Sequence, residues 1–358
     1  TGPTGQTGQT GQTGQTGPTG EVGATGAGIE CINNNLVAGS DVMLVNQFNT
    51  IYGCDAGLNN PNGDSNTFIG FQAGENTGNT GAVVVGYQAG QNSQGDNSVA
   101  IGNLAGQNNE GACAIAIGYR AGYIEQGDYG IAMGCQAGEN FQGIEAVAIG
   151  NLAGQNTQGD DAIAIGRNAG QTLQGMRAIA IGMNAGASTQ GADAIAIGTN
   201  AGADPQNDNA IAIGNASGQT DQGNAAIAIG FQSGQQNQGI NGIAIGLNAG
   251  QTSQISNAIA IGTNAGANTQ GEFSIAIGTN AGTNTHGANS IAIGLNAGAN
   301  TQGELSIAIG LNAGQTNQGI DCIAIGQNAG QENQIINAIA IGGYAGSITQ
   351  GQYSIAIG

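Results

Sequence analysis

Glycine stands at position 70 and at every sixteenth position after it to 358, with no insertion or deletion along the way. A fixed period of this length marks a solenoid, in which each repeat is one supersecondary unit stacked on the next. With that glycine as phase zero, the repeat reads G-x-N-A-G-x-x-x-Q-G-x-x-A-I-A-I. The A-I-A-I segment alternates with period two, which puts Ile on one face of a strand and Ala on the other. Glycine at phases zero and four, and Gln-Gly at phases eight and nine, punctuate the turns. The expected unit is one flattened coil of two short strands and two bends, and the expected fold is all-β, a parallel β-roll or β-solenoid of sixteen-residue coils.

Stacking such coils pairs each strand with its copies above and below at about 4.8 Å. Ile then forms dry ladders inside the coil. The phase-two amides, among them Asn248, Asn264, Asn280 and Asn296, hydrogen-bond up the stack. Gly262, Gly266 and Gly271 represent the three turn positions. Phase four admits no other residue in any repeat long enough to show it, so a positive φ or a close neighbouring backbone is expected there. Phase nine is laxer, with Asn207, Ile255 and Ile335 in place of glycine.

Residues 1–28 follow another rule. Glycine recurs at every third position from Gly2 to Gly26, the period of a collagen triple helix, whose crowded axis admits only glycine. This arm presents Thr4, Thr7, Thr10, Thr13, Thr16 and Thr19 outward, as candidate glycosylation sites. Residues 29–66 form a less repetitive junction, read as a trimerisation segment, and 67–358 the roll. A triple helix needs three chains, and a coil this thin needs a lateral partner, so both parts point to a homotrimer. The small Ala face is the one expected to meet neighbouring coils.

Composition removes several functions. Three arginines, Arg120, Arg167 and Arg177, face 22 acids, for a net charge of −19. That balance repels phosphate backbones and anionic lipid, so neither nucleic acid nor a membrane surface is an expected partner. No apolar run is long enough for membrane insertion. His286, the single histidine, sits in the phase-eight slot that normally carries Gln and reads as a surface substitution. No Ser/His/Asp set can be assembled, so no catalytic residue and no enzyme activity are expected. Asp160, Asp161, Asp204 and Asp208 show no recurring calcium-loop spacing and read as solvated carboxylates; no metal and no cofactor are called for. Five cysteines include no CxxC pair. Cys31 and Cys54 bracket the junction as a candidate disulfide, within or between chains, against the alternative of two thiols. Cys113, Cys135 and Cys322 read as isolated substitutions. Thr ladders change phase too often for an ice-binding face, and the one N-x-S sequon, at Asn215, is read as inward-facing.

The stretches AIAIGTNAG, SIAIGLNAG and NSVAIGNLAG resemble the head repeats of trimeric autotransporter adhesins, the YadA-like heads. That resemblance implies a left-handed parallel β-roll in a trimer. The period here is sixteen where the family's typical repeat is fourteen. The GPT/GQT arm is similar to the collagen-like stalks of spore-surface and giant-virus surface proteins. Together these readings imply a structural fibre, extracellular, on a cell, spore or virion surface, that acts by spacing and multivalent contact. An adhesin for a host-surface receptor or glycan is the first alternative, with phases ten and eleven (Glu272 and Phe273, for example) as the variable slot. A filament subunit stacking end to end is the second, since the chain stops at a repeat boundary.

Overall fold

The computed structural model describes residues 2, 30–32, 35–38, 48–60 and 63–358. The collagen-like arm apart from Gly2, its six threonines and the side chain of Cys31 lie outside that set. The described chain is a parallel β-solenoid of about 19 coils, with no helix among the described residues. At the spacing of paired strands it is roughly 90 Å long.

Each regular coil contributes two strands. The first carries the Ile-Ala-Ile triplet and pairs in parallel with its copies at a register of one repeat, as in Ile275↔Ile291, Ala276↔Ala292 and Ile277↔Ile293. These strands form one 22-stranded sheet. The second strand covers phases six to eight and builds a 15-stranded sheet that begins at Asn108–Glu110. Pairing in the first sheet reaches back before residue 67. Strand β1 (Glu30–Ile32) is antiparallel to β2 (Asn35–Ala38), and β2 runs parallel to β3 (Thr50–Tyr52).

The faces are oriented opposite to the expectation from alternation. Ala points inward: Ala260, Ala276 and Ala292 have no exposed surface. The flanking Ile residues point outward, and Ile277 and Ile293 each keep 37% of their surface. The cause is the width of the coil. Two three-residue strands joined by tight corners leave a gap that a methyl group fills and a branched four-carbon side chain does not. The lateral face of the rod is therefore the Ile face, not the Ala face.

What fills the rest of the interior is glutamine. The phase-eight residue, read from sequence as turn punctuation, is buried in nearly every coil; Gln206 and Gln222 have no exposed surface. Its amide crosses the core. Gln238 Nε2 donates to the carbonyls of Ile227 (2.8 Å) and Gly242 (3.1 Å) and lies 3.1 Å from Gln254 Oε1 in the next coil. A buried amide is tolerated only when its groups find partners, and here the partners are backbone carbonyls of the opposite sheet and the next glutamine.

The corners explain the glycines. Gly262 has φ of +129°, and a Cβ there would stand 2.6 Å from the Gly278 carbonyl oxygen. Gly266 has φ of +53°, and its Cβ would meet Gln270 Oε1 at 2.6 Å. The phase-zero glycine is thus held by backbone stacking and the phase-four glycine by the buried amide. A Cβ on Gly271 would approach Ala288 N within 2.5 Å. Non-glycine residues at phases two and eleven also take positive φ, as Asn264 (53°) and Phe273 (54°) do, which is why Asn recurs at phase two.

Candidate interaction surfaces

Around the coil, four strips of side chain run the length of the rod. The first is apolar and lies on the outward side of the Ile sheet, at phases thirteen and fifteen. Phase one extends it with Phe71, Tyr87, Tyr119, Phe231, Leu247 and Leu295, all exposed. Phe71 and Tyr87 stack with ring centroids 5.4 Å apart.

The second strip is the amide column of phase two. Asn248 Nδ2 donates to Asn264 Oδ1 at 3.1 Å, Asn264 to Asn280 at 3.0 Å, and Asn280 to Asn296 at 3.0 Å. A third strip, which sequence reading missed, is a second amide column at phase five. Gln171 donates to Gln155, and Gln251 to Gln235. Its signal was present in the recurrence of Gln five residues after the phase-zero glycine. Glu139 belongs to this column. It accepts from Gln136 and Gln155 and lies 2.9 Å from Arg120 Nε, while the Arg120 guanidinium rests 4.2 Å over the Tyr123 ring.

The fourth strip, at phases seven, ten and eleven, holds the slot expected to vary, and Glu272, Phe273, Met176, Arg177, Asp160 and Asp161 are all exposed in it. Its acids have a structural task that the sequence did not reveal. The phase-ten aspartate accepts a backbone N–H from the coil before: Asp160 Oδ1 from Ile144 and Asp208 Oδ1 from Ala192, both at 2.9 Å. Asp96 and Asp128 repeat the contact. Asp204 lies in a strand of the second sheet. No group of three or more metal-ligating side chains occurs among the described residues.

Two titratable groups interrupt the buried glutamine column, and one of them overturns an expectation. His286 is not a surface substitution: it is 1% exposed, because phase eight is interior. Neither ring nitrogen has a hydrogen-bond partner, and burial lowers its pKa to about 4, so the ring is neutral at pH 7. Glu110 fills the same slot, also buried, and accepts from Gln94 Nε2. Burial raises its pKa well above the usual carboxylate range, the Gln94 bond opposing the shift. A protonated carboxyl has nearly the shape of the amide it replaces.

The cysteines divide between surface and core. Cys54, Cys113 and Cys135 are exposed, and Cys322 is buried in the phase-twelve Ala slot, where burial raises its thiol pKa. Asn215 is exposed rather than inward, because phase one lies on the outer surface.

The strand register, corner glycines and inward Ala together constrain what kind of repeat this is. Residues 79–105, 142–169, 190–217, 256–281, 282–297 and 286–313 match the family model of the YadA head domain repeat. The rod carries YadA-like head repeats. The matched segments span less than half of the chain, spread over its length, and the unmatched coils between them keep the same period and register. No curated protein matches the chain. YadA-like head repeats and the β-solenoid fold are non-enzymatic in kind. Among the described residues no helix is long and apolar enough to cross a membrane.

Proposed function

We propose that the chain forms the rod of a homotrimeric surface fibre, extracellular on a cell, spore or virion, working by mechanical spacing and many weak contacts. The observation that supports this most is the apolar strip. A column of outward Ile, widened by Phe, Tyr and Leu at phase one, runs along the Ile sheet while the interior holds chiefly Ala and Gln. Contiguous apolar surface of this extent is uncommon on a monomer and signals an interface. A straight rod with one such strip buries it against copies of itself arranged around a common axis, and the likeness to YadA heads makes that number three. Three copies of each exposed strip then face outward, and repetition supplies avidity without a strong pocket. The collagen-like arm would continue the same three-fold arrangement, with its threonines as candidate glycan carriers and Cys31–Cys54 as a candidate register lock.

The test is the mass of the purified protein under native conditions. Three chains are expected, and Ile277→Asp with Ile293→Asp should shift the protein toward smaller species. A wild-type monomer would overturn the proposal.

A further inference from the structure

The outer strip is not uniform. Over coils 102–166 it opens into a groove of about 370 Å³ that lies on the sheet opposite the Ile strip. Its lining includes Gly127 and Gly143, where a Cβ would run into the backbone of the following coil. One wall is phase seven, where Phe141 lies opposite Glu125 in adjacent strands, as the Asn140↔Ile124 and Gln142↔Gln126 pairings require. The other wall is phase ten, with Ile144 beside Asp160. Each wall thus sets one apolar side chain next to one carboxylate. Phe141 and Ile144 are 51% and 50% exposed. Their positions are held: Glu125 and Phe141 have φ of 52° and 58°, the left-handed conformation shared by phase seven in the neighbouring coils.

Neither wall carboxylate belongs to either ion pair seen among the described residues, Arg120–Glu139 and Arg177–Asp193. Asp128, Glu145 and Asp161 stand on the same exposed strip. An occupant must therefore bring positive charge together with apolar surface, at a spacing set by coils about 4.8 Å apart. Arginine and lysine side chains have that composition, an aliphatic stem behind a cationic head, and a guanidinium can also rest on the Phe141 ring. An extended chain along the groove would place alternate side chains on the two walls.

We propose that this groove binds a basic, extended peptide segment of a partner protein, with cationic heads at Glu125 and Asp160 and stems or apolar neighbours on Phe141 and Ile144. All of the lining residues come from one chain.

The test uses the whole 358-residue chain in its native assembly and a fluorescein-labelled nonapeptide repeating Gly-Arg-Leu, followed by anisotropy. The variants borrow residues that the same phases carry in other coils, which keeps the fold: Phe141→Asn (as at Asn109 and Asn237) with Ile144→Ala (as at Ala112 and Ala192), and separately Glu125→Thr (as at Thr157). The uncharged pair of substitutions is expected to weaken binding about tenfold or more, and Glu125→Thr by a smaller factor. Glu272→Gln, which removes a distant charge from the same strip, should leave binding unchanged, and a peptide with citrulline for arginine should bind far more weakly. Equal binding by the Phe141→Asn/Ile144→Ala protein would show that the peptide answers only to diffuse negative charge and would overturn the proposal. Equal binding of the citrulline peptide, or an equal loss with Glu272→Gln, would do the same.

Discussion

The first coils and the later ones solve one packing problem with different residues. In the first three, the inward position of the Ile sheet holds Ile51, Phe68 and Val84, and the Phe68 ring presses on Gly57 and Gly74. Among the described residues no Gln amide bonds a strand of the Ile sheet there, and the second sheet has not begun; Asn76 and Asn92 make only isolated bridges. Backbone groups are instead satisfied by buried Asn side chains: Asn66 accepts from Ala82 N and donates to Asn79 O, both at 2.8 Å. After Val84 the inward residue shrinks to Ala, phase eight takes the vacated volume, and from Gln126 onward the amides of its glutamines tie the two sheets together. A large apolar plug fills a coil, whereas the amide also bonds the second strand to the Ile sheet.

The contrast can be broken most severely at the plug. Phe68→Ala should cost about 3–5 kcal/mol, since it leaves a cavity in the most apolar coil. Hydrogen exchange should rise over residues 50–86 and stay low beyond residue 200, because coils feel chiefly their neighbours. Uniform loss of protection would show that the rod unfolds as one unit.

In the body, the two titratable members of the glutamine column give opposite pH responses. His286 has its folded pKa below its unfolded value of 6.5, so stability is full above that pH and falls as pH drops toward 4. At about 1.4 kcal/mol per pH unit across that window the loss is roughly 3 kcal/mol. Glu110 has its folded pKa raised, so its share of stability is full in acid and is lost as pH climbs above the ordinary carboxylate range. His286→Gln and Glu110→Gln should each abolish the corresponding slope in melting temperature against pH. A histidine on the surface would leave the acid limb of wild type and variant superimposed.

A third measurement isolates the cross-core bond. Gln238→Leu keeps the volume but removes the amide's bonds to the carbonyls of Ile227 and Gly242, which keep their backbone pairing, for an expected cost of about 1–3 kcal/mol. No change on denaturant unfolding would assign the column to packing alone. The smallest effect is expected at the surface ladder. Asn264→Ala removes two amide contacts and places Ala at φ of 53°, for about 1 kcal/mol or less.

Much of this was legible in the sequence. A sixteen-residue period without slippage dictates stacked coils in register, and invariant glycine at phases zero and four marks corners where a side chain cannot fit. The Asn run at phase two spells out the ladder that Asn248 to Asn296 form. Other features were hidden for definite reasons. The buried role of phase eight was obscured because Gln beside Gly is also the usual chemistry of a turn, and His286 was misplaced with it. The groove at Phe141 and Ile144 depends on two walls three residues apart around a bend, which no linear pattern displays.

By itself, the sequence determined the coil length, the parallel register and the positions of the corners, because each follows from a repeat and from the sterics of a missing Cβ. Only the tertiary structure decided which face of the Ile-Ala alternation looks inward. Period two separates the faces without naming them, and the narrow gap between the sheets made the choice: methyl groups and a hydrogen-bonded amide fit inside, and Ile is left on the outside of the rod.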